Sequence, residues 1–152
     1  MIDLKEGDKA PDFLKSHSGI NKNEIKGKKV ILYFYPKDST PGCTVEACNL
    51  RDNYDDLKGK GFEVIGVSPD TEKKHDNFKE KNNLPFKLIP DTEKEILEEY
   101  GVWGEKKMYG RTYMGVFRTT FIINEDGIIE KIIRKVKTKD HTNQIYKELG
   151  IE

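Results

Sequence analysis

An apolar segment of this chain runs directly into a turn rich in proline and glycine, and then into a predicted helix. Residues 30–34 are all apolar, which predicts a strand buried on both faces and therefore central in a sheet. Residues 35–51 follow at once and contain two prolines, one glycine and both cysteines of the chain. Apolar residues then recur every three or four positions, which predicts a helix to about Lys58: Ala47, Leu50, Tyr54 and Leu57.

The turn delivers Cys43 to the start of that predicted helix. Backbone N–H groups in the first helical turn lack intrahelical acceptors, and together with the positive end of the helix dipole they favour an anion. A free cysteine has a pKa of about 8.5, so a site that favours the thiolate raises the nucleophilic fraction at neutral pH. We therefore predict that Cys43 is a nucleophile rather than an inert buried thiol.

The rest of the chain alternates predicted strands with predicted helices, which indicates an α/β layer fold. The strands are expected at residues 62–68, 85–89, 119–123 and 128–136. Helices are expected from about residue 71 to 82, from Asp91 or Thr92 to Tyr100, and from 140 to 149. Pro90 should keep the strand at 85–89 out of a central position, and Asp126-Gly127 predicts a hairpin.

Two segments are harder to interpret from their patterns. Gly19 and the residues 21–23 indicate turns around a short hairpin, whereas residues 102–116 contain glycines and are expected to be irregular. The second segment holds Trp103, Tyr109 and Tyr113, which could form an aromatic wall of a site but are expected to serve ordinary packing.

Composition excludes several classes of partner. The 152 residues suit a single domain, and Lys+Arg and Asp+Glu both total 27, which argues against nucleic acid or a membrane surface as the main partner. No apolar run approaches the roughly 18 residues of a membrane span, and the first residues lack the apolar core of a signal peptide. We therefore expect a cytoplasmic protein, in which two cysteines five positions apart are redox-active rather than structural.

Pro36, Thr40 and Cys43 have the Pro-x-x-x-Thr-x-x-Cys spacing of the peroxiredoxins, and residues 33–48 around them resemble the peroxiredoxin Q branch, or bacterioferritin comigratory proteins. The segment Ala-Pro-Asp-Phe at residues 10–13 is also similar to the start of that family. The resemblance implies one domain over residues 1–152, with a thioredoxin-like fold whose central mixed β-sheet is flanked by helices. It also places Arg118, in an Arg-x-Thr-Phe pattern, beside the active cysteine.

The function implied by the resemblance is a thiol peroxidase. Cys43 would reduce hydrogen peroxide or an alkyl hydroperoxide. The Thr40 hydroxyl would hydrogen-bond the thiolate and the bound peroxide, Arg118 would favour the thiolate and hold the peroxide, and Pro36 would shield the sulfur. Cys48 would then trap the Cys43 sulfenic acid as an intramolecular disulfide, which a thioredoxin-like reductant reopens. This cycle needs no metal or organic cofactor, and one chain suffices, so a monomer is compatible with it.

Other functions are weighed against this one. A zinc site would need about four ligands, but His17, His75 and His141 are far apart in sequence and are expected on the surface. A general thiol–disulfide oxidoreductase is expected to carry Cys-x-x-Cys, which is absent. A redox-sensing or chaperone-like module on the same fold stays open, as does the choice for Glu46 and Arg51 between bracing the site and lying in solvent.

Overall fold

A mixed sheet of five strands lies at the centre of the computed structural model, which describes residues 3–151. Its strand order is β3-β2-β1-β6-β7, with β1 parallel to β2 and antiparallel to β6, while β4 and β5 form a separate two-stranded sheet. The expected central mixed sheet flanked by helices is confirmed. In chain order the elements are β1 (Lys29–Phe34), α1 (Pro41–Asp52), α2 (Tyr54–Gly59), β2 (Phe62–Ser68), α3 (Glu72–Asn82), β3 (Lys87–Pro90), α4 (Glu95–Glu99), β4 (Trp103–Met108), β5 (Arg111–Val116), β6 (Thr119–Ile123), β7 (Ile129–Ile133) and α5 (His141–Leu149).

The two faces of β1 belong to two different hydrophobic cores. Successive side chains of a strand point to opposite faces, so Ile31 and Tyr33 pack with residues of α1, α3 and α5. Leu32 and Phe34 pack on the other side with residues of α4. Residues 30–34 are each at most 3% exposed, as expected for a central strand. The sheet therefore holds α1, and with it Cys43, against one buried face.

Most elements lie where the sequence predicts them, and the differences at helices have local causes. β3 pairs with β2 alone and so forms the sheet edge that Pro90 predicts. The helix expected to reach Lys58 is divided into α1 and α2 at Asn53, whose side-chain amide donates to the carbonyl of Asn49 at 2.8 Å. In the described residues, no helix is long and apolar enough to cross a bilayer.

The prediction of a short hairpin around Gly19 and residues 21–23 is wrong. Two short 3-10 turns, Ser16–Ser18 and Lys22–Glu24, occupy this segment. The Asn21 side chain accepts the N–H of Asn23 at 2.9 Å, and the Glu24 carboxylate accepts the N–H of Asn21 at 2.6 Å. This reciprocal capping satisfies backbone donors that strand pairing would otherwise use.

The prediction that residues 102–116 are irregular is also wrong, because β4 and β5 form a regular hairpin there. The register runs from Trp103 opposite Val116 to Met108 opposite Arg111. Tyr109 and Gly110 make the two-residue turn with φ of 51° and 77°, the left-handed conformation that such a turn requires at both positions.

The prediction that Asp91 or Thr92 directly precedes and caps α4 is wrong about where the helix begins, but Asp91 does bind a backbone N–H of its first turn. The helix begins after Lys94, whose φ is 59°, rather than after Asp91 or Thr92. Asp91 nevertheless accepts the N–H of Leu97 at 2.8 Å through Oδ2, so its carboxylate satisfies a donor of the first turn from outside the helix.

Candidate active site

The turn after β1 places Cys43 at the start of α1 with its side chain buried. The helix begins at Pro41, whose fixed φ suits the first helical position. Cys43 is therefore the third helical residue, and its N–H and that of Gly42 lie in the turn that offers no intrahelical acceptor. The side chain is 2% exposed, so the positive end of the helix acts on a sulfur that bulk water barely reaches.

Arg118 is the charged group that contacts Cys43. It lies in the link between β5 and β6, and its Nη2 donates to Cys43 Sγ at 3.2 Å. Its Nη1 donates to Glu46 Oε1 at 2.6 Å, so one guanidinium binds two acceptors on α1. Burial acts to lower the pKa of Arg118, but the charges of Glu46 and Cys43 outweigh that effect and raise it. The structure thus brings Arg118 and Cys43 together, as the sequence pattern suggests.

Gly42 leaves room for that guanidinium. A Cβ built at position 42 would lie 3.3 Å from Arg118 Nη2, which is tighter than ordinary van der Waals contact. A side chain there would push the guanidinium away from Cys43. No sequence pattern singled out Gly42, although a glycine within a predicted helix, where it is less favourable than alanine, is a signal of close approach.

Thr40 and Pro36 lie in the turn at residues 35–40 that leads into α1, and both are half-buried. Thr40 precedes α1 without capping it through its side chain. Its hydroxyl donates to the carbonyl of Lys37 at 2.8 Å, so its single proton is already used in that hydrogen bond. The hydrogen bond from Thr40 to the sulfur that the resemblance implies is therefore not formed in this arrangement.

Cys48 lies on the same helix as Cys43, and both thiols are free. Cys48 is half-buried, and its Sγ lies 3.8 Å from Asn82 Oδ1 at the end of α3, a weak thiol donor contact. Five residues of regular helix separate the two Cα atoms by about 8.6 Å and direct the side chains about 140° apart. That exceeds the limit of about 7 Å for a disulfide, so the helix keeps the two sulfurs apart.

Two of the histidines expected on the surface are buried instead. His75 of α3 is 2% exposed and His141 of α5 is 0% exposed. His75 Nε2 lies 3.1 Å from the carbonyl oxygen of Ile89, and since that oxygen can only accept, Nε2 carries a proton. His75 Nδ1 lies 2.6 Å from Asp38 Oδ2, within a pair that is nearly inaccessible to solvent.

The contact between Asp38 and His75 ties the active turn to α3. Asp38 lies in the turn at residues 35–40, and its other oxygen accepts the Tyr35 hydroxyl at 2.6 Å. Its N–H donates to Asp70 Oδ2 at 2.7 Å, so both its side chain and its backbone are held.

His17 is partly exposed and contacts Asp91 at 3.0 Å. Within residues 3–151, no group of three His, Cys, Asp or Glu side chains could hold a metal ion.

The structure also shows where the residues lie whose roles the sequence left undecided. Glu46 is 0% exposed and bound to Arg118, so it lies inside the site rather than in solvent. Arg51 donates to the carbonyl of Asn82 at 2.7 Å and to Asp52 at 3.0 Å, and so braces the ends of α1 and α3. Trp103 packs against the second core, which agrees with the expectation of ordinary packing. The same expectation is wrong for Tyr109 and Tyr113, which are 98% and 41% exposed on the hairpin of β4 and β5.

Most of the chain is similar in sequence to one known protein family. Residues 6–132 match the model of the AhpC/TSA family. The chain is 48% identical over 149 residues to Peroxiredoxin Bcp of Bacillus subtilis, covering 96% of this chain and 95% of that protein. It is 46% identical over 144 residues to Peroxiredoxin Bcp of Escherichia coli, covering 93% of this chain and 92% of that protein.

Comparison with solved structures agrees. A cysteine-to-serine mutant of Xylella fastidiosa PrxQ superposes with a TM-score of 0.87 at 29% identity, covering 99% of this chain and 98% of that one. The bacterioferritin comigratory protein of Xanthomonas campestris, studied for its alkyl peroxide reduction activity, gives a TM-score of 0.78 at 34% identity, covering 84% of this chain and 80% of that one. The thioredoxin-like fold expected from the sequence is confirmed by these similarities.

Proposed function

The chain belongs to the AhpC/TSA family, among its peroxiredoxin Q members, and on that basis we propose that it reduces hydrogen peroxide and alkyl hydroperoxides through Cys43. The observation that supports this most is the buried Cys43 sulfur at a helix N-terminus, 3.2 Å from the Arg118 guanidinium. A cation and free N–H groups around that sulfur favour the thiolate, which is the nucleophilic form.

In the first half of the proposed reaction, the Cys43 thiolate attacks one oxygen of the peroxide. The O–O bond breaks, Cys43 becomes a sulfenic acid, and the other oxygen leaves as water or an alcohol. Arg118 and the Cys43 N–H orient the peroxide and stabilise the charge that develops on the leaving oxygen. Thr40 would rotate its hydroxyl from Lys37 to the peroxide, and Pro36 would shield the sulfur from water.

In the second half, Cys48 attacks the sulfenic acid and forms an intramolecular disulfide with release of water. A thioredoxin-like reductant then restores both thiols by disulfide exchange. Since both cysteines lie on α1, one chain carries the whole cycle and a monomer is sufficient. A reducing cytoplasm is the proposed location because it would supply such a reductant.

The test is peroxide consumption coupled to thioredoxin, thioredoxin reductase and NADPH. The native protein should turn over repeatedly, and Cys43→Ser should show no activity because a serine hydroxyl is a poor nucleophile at neutral pH. Cys48→Ser is the matched control, since it should consume one equivalent of peroxide, accumulate oxidised Cys43 and then stop. A Cys48→Ser protein that cannot react even once would show that the two roles are assigned wrongly.

The same assay separates the alternative functions. Reduction of disulfide substrates without peroxide turnover would indicate a general thiol–disulfide oxidoreductase. If each protein molecule were oxidised once by peroxide and did not turn over, although the thioredoxin system is present, the result would indicate a redox-sensing or chaperone-like module.

A further inference from the structure

One guanidinium in this site faces two acidic groups. Cys43 and Glu46 lie one helical turn apart on α1, are 2% and 0% exposed, and both accept from Arg118. If the thiol and the carboxyl were ionised together, two buried negative charges would share one positive charge. An uncompensated buried charge is costly, so ionisation of one group disfavours ionisation of the other.

The surroundings of the second carboxyl oxygen of Glu46 indicate that Glu46, rather than Cys43, is the group that stays neutral. Glu46 Oε2 is buried and has no hydrogen-bond partner among residues 3–151. The polar atom facing it is His141 Nε2 at 3.6 Å, within ion-pair range but too far for a hydrogen bond. A carboxylate oxygen that is buried without a donor loses its hydration and gains nothing in return.

The tautomer of His141 explains why its ring supplies no donor to Glu46 Oε2. The Gln144 side-chain N–H donates to the carbonyl of Lys135 at 2.8 Å, which turns its Oε1 towards His141 Nδ1 at 2.9 Å. Since an amide oxygen only accepts, Nδ1 carries the proton of His141. Nε2 then accepts the hydroxyl of Thr120 at 2.8 Å. The single lone pair of Nε2 is therefore occupied, so His141 offers Glu46 Oε2 no proton, and a neutral carboxyl avoids burying an unsolvated charge at this oxygen.

The other charged and titratable groups around Glu46 agree with a neutral carboxyl. Burial raises the pKa of Glu46 to about 7, although the Arg118 charge and hydrogen bond act to lower it. The pKa of His141 is lowered to about 4, mainly by burial and in part by the Arg118 charge, although the hydrogen bond to Gln144 acts to raise it, so His141 does not supply a cation. Tyr33 faces the site from β1, and burial followed by the charges of Glu46 and Cys43 holds its pKa well above the usual value. Lys139 and Asp140, which precede α5, are exposed.

We propose that the proton of Glu46 follows the redox state of Cys43: Glu46 is neutral while Cys43 is a thiolate, and it ionises when Cys43 becomes a sulfenic acid. The proposal rests on the peroxidase function proposed above and makes Glu46 a positioning residue, because it acts on the sulfur through Arg118. In the reduced state, the full charge of Arg118 is then available to the thiolate.

The charges and atoms of this step balance. An electron pair of the thiolate forms the S–O bond, the O–O bond breaks, and its pair leaves on RO⁻, so Cys43 is oxidised by two electrons and the peroxide is reduced. RO⁻ takes up one proton to become ROH, and Glu46 releases one proton and becomes the counterion of Arg118. The net charge of Cys43, Glu46 and Arg118 is zero before and after, whichever route the protons take.

The experiment is infrared difference spectroscopy of Cys48→Ser protein labelled with ¹³C at its Glu side chains, before and after one equivalent of hydrogen peroxide at about pH 7. Cys48→Ser prevents the disulfide, so α1 stays in place. We expect loss of one protonated-carboxyl C=O band, shifted by the label, per oxidised Cys43. The band should be absent in Glu46→Gln/Cys48→Ser. It should persist in Asp52→Asn/Cys48→Ser, which changes an exposed carboxyl of the same helix.

A proton count gives a second measurement on the same samples. Attack by a thiolate releases hydroxide, so Glu46→Gln/Cys48→Ser should take up about one proton per oxidised Cys43 from a weakly buffered indicator solution. Protein that retains Glu46 should take up much less, because Glu46 supplies the proton. Sulfenic acid formation with an unchanged carboxyl band would overturn the linkage alone. Failure of Cys43 to form a sulfenic acid would overturn both this linkage and the peroxidase proposal.

Discussion

At the scale of single residues, Arg118 explains how a sulfur that is 2% exposed can serve as a thiolate. Burial by itself disfavours the anion, whereas a cation 3.2 Å away and the free N–H groups of a helix start favour it. Arg118 comes from the link between β5 and β6, not from α1, so its replacement removes the charge without removing the helix.

Replacing Arg118 by Ala should therefore slow both the reaction of Cys43 with iodoacetamide at neutral pH and peroxide reduction, the latter at least about tenfold, because the cation that favours the thiolate and binds the peroxide is removed. Arg118→Lys should recover more of the alkylation rate than of the peroxide rate, because a lysine restores charge but not the two-point geometry. Arg134→Ala, at an exposed arginine, is the control. Unchanged alkylation and peroxide kinetics in Arg118→Ala would remove Arg118 from the site.

The buried histidines mark what sequence alone could not predict at this scale. Arg118 and Cys43 stand in recognisable patterns, but His75 lies in a strongly charged helix, and its partner Asp38 is 37 positions away. Only the spacing of three between His75 and the buried Phe78 indicates that both lie on the inner face of α3. His141 offers no comparable local signal, since its partners Thr120 and Glu46 come from other elements.

At the scale of elements, α1 serves two demands that conflict. An intact helix builds the Cys43 site, yet it holds the Cα atoms of Cys43 and Cys48 about 8.6 Å apart, beyond disulfide range. Formation of the proposed disulfide therefore requires the first turns of α1 to unwind.

Oxidation to the disulfide should increase amide hydrogen exchange over residues 44–51 and lower helicity, with little change in β1 and β2. Hydrogen exchange with mass spectrometry on the reduced and oxidised protein measures this directly. Cys48→Ser treated with the same peroxide is the control, since it cannot form the disulfide and should keep its protection. Equal protection of this segment in the reduced and disulfide forms would contradict the prediction.

The hairpin of β4 and β5 shows why one element was missed while the central strands were found. Strands β1 and β2 are buried on both faces, so most of their residues are apolar and they are recognised as strands from sequence. The hairpin is largely exposed, and several of its positions are charged, so no apolar alternation indicates a strand. Its turn, Tyr109-Gly110, also lacks the Asn or Asp that most often marks this turn type.

At the scale of the whole molecule, Glu46 and His141 make stability depend on pH in opposite directions. The pKa of Glu46 is raised from 4.5 to about 7, mainly by burial, so its stabilising contribution is complete below pH 4.5 and is lost as pH rises through 7. The pKa of His141 is lowered from 6.5 to about 4, mainly by burial, so its contribution is complete above pH 6.5 and is lost as pH falls through 4.

Glu46→Gln should consequently lose less stability than the native protein between about pH 5 and about pH 8. The expected difference in the free energy of unfolding is about 2 kcal/mol, because glutamine keeps an acceptor for Arg118 but never ionises. Urea unfolding of the reduced proteins at both pH values measures it. Asp52→Asn should follow the native protein, and parallel pH dependences for native protein and Glu46→Gln would disprove the prediction.

The overall architecture could be predicted from sequence because buried strands and helix patterns carry their own signals. What could not be predicted is which polar groups share one buried site. Glu46 looks like any helix surface residue until α5 and the link before β6 are packed against it. Tertiary packing, not local pattern, decides its protonation.

The tie between Asp38 and His75 has a kinetic consequence. Asp38, Tyr35 and His75 all lie outside α1, so they can hold residues 35–40 in place while the helix is unwound. Starting a helix in a free chain is unfavourable, whereas extending an existing turn takes nanoseconds per residue. Once the proposed disulfide is reduced, the first turns of α1 would re-form between residues 35–40, which stay in place, and the intact end of the helix within about 1 μs. The rate at which the enzyme becomes reactive again is then set by its encounter with the reductant, not by refolding.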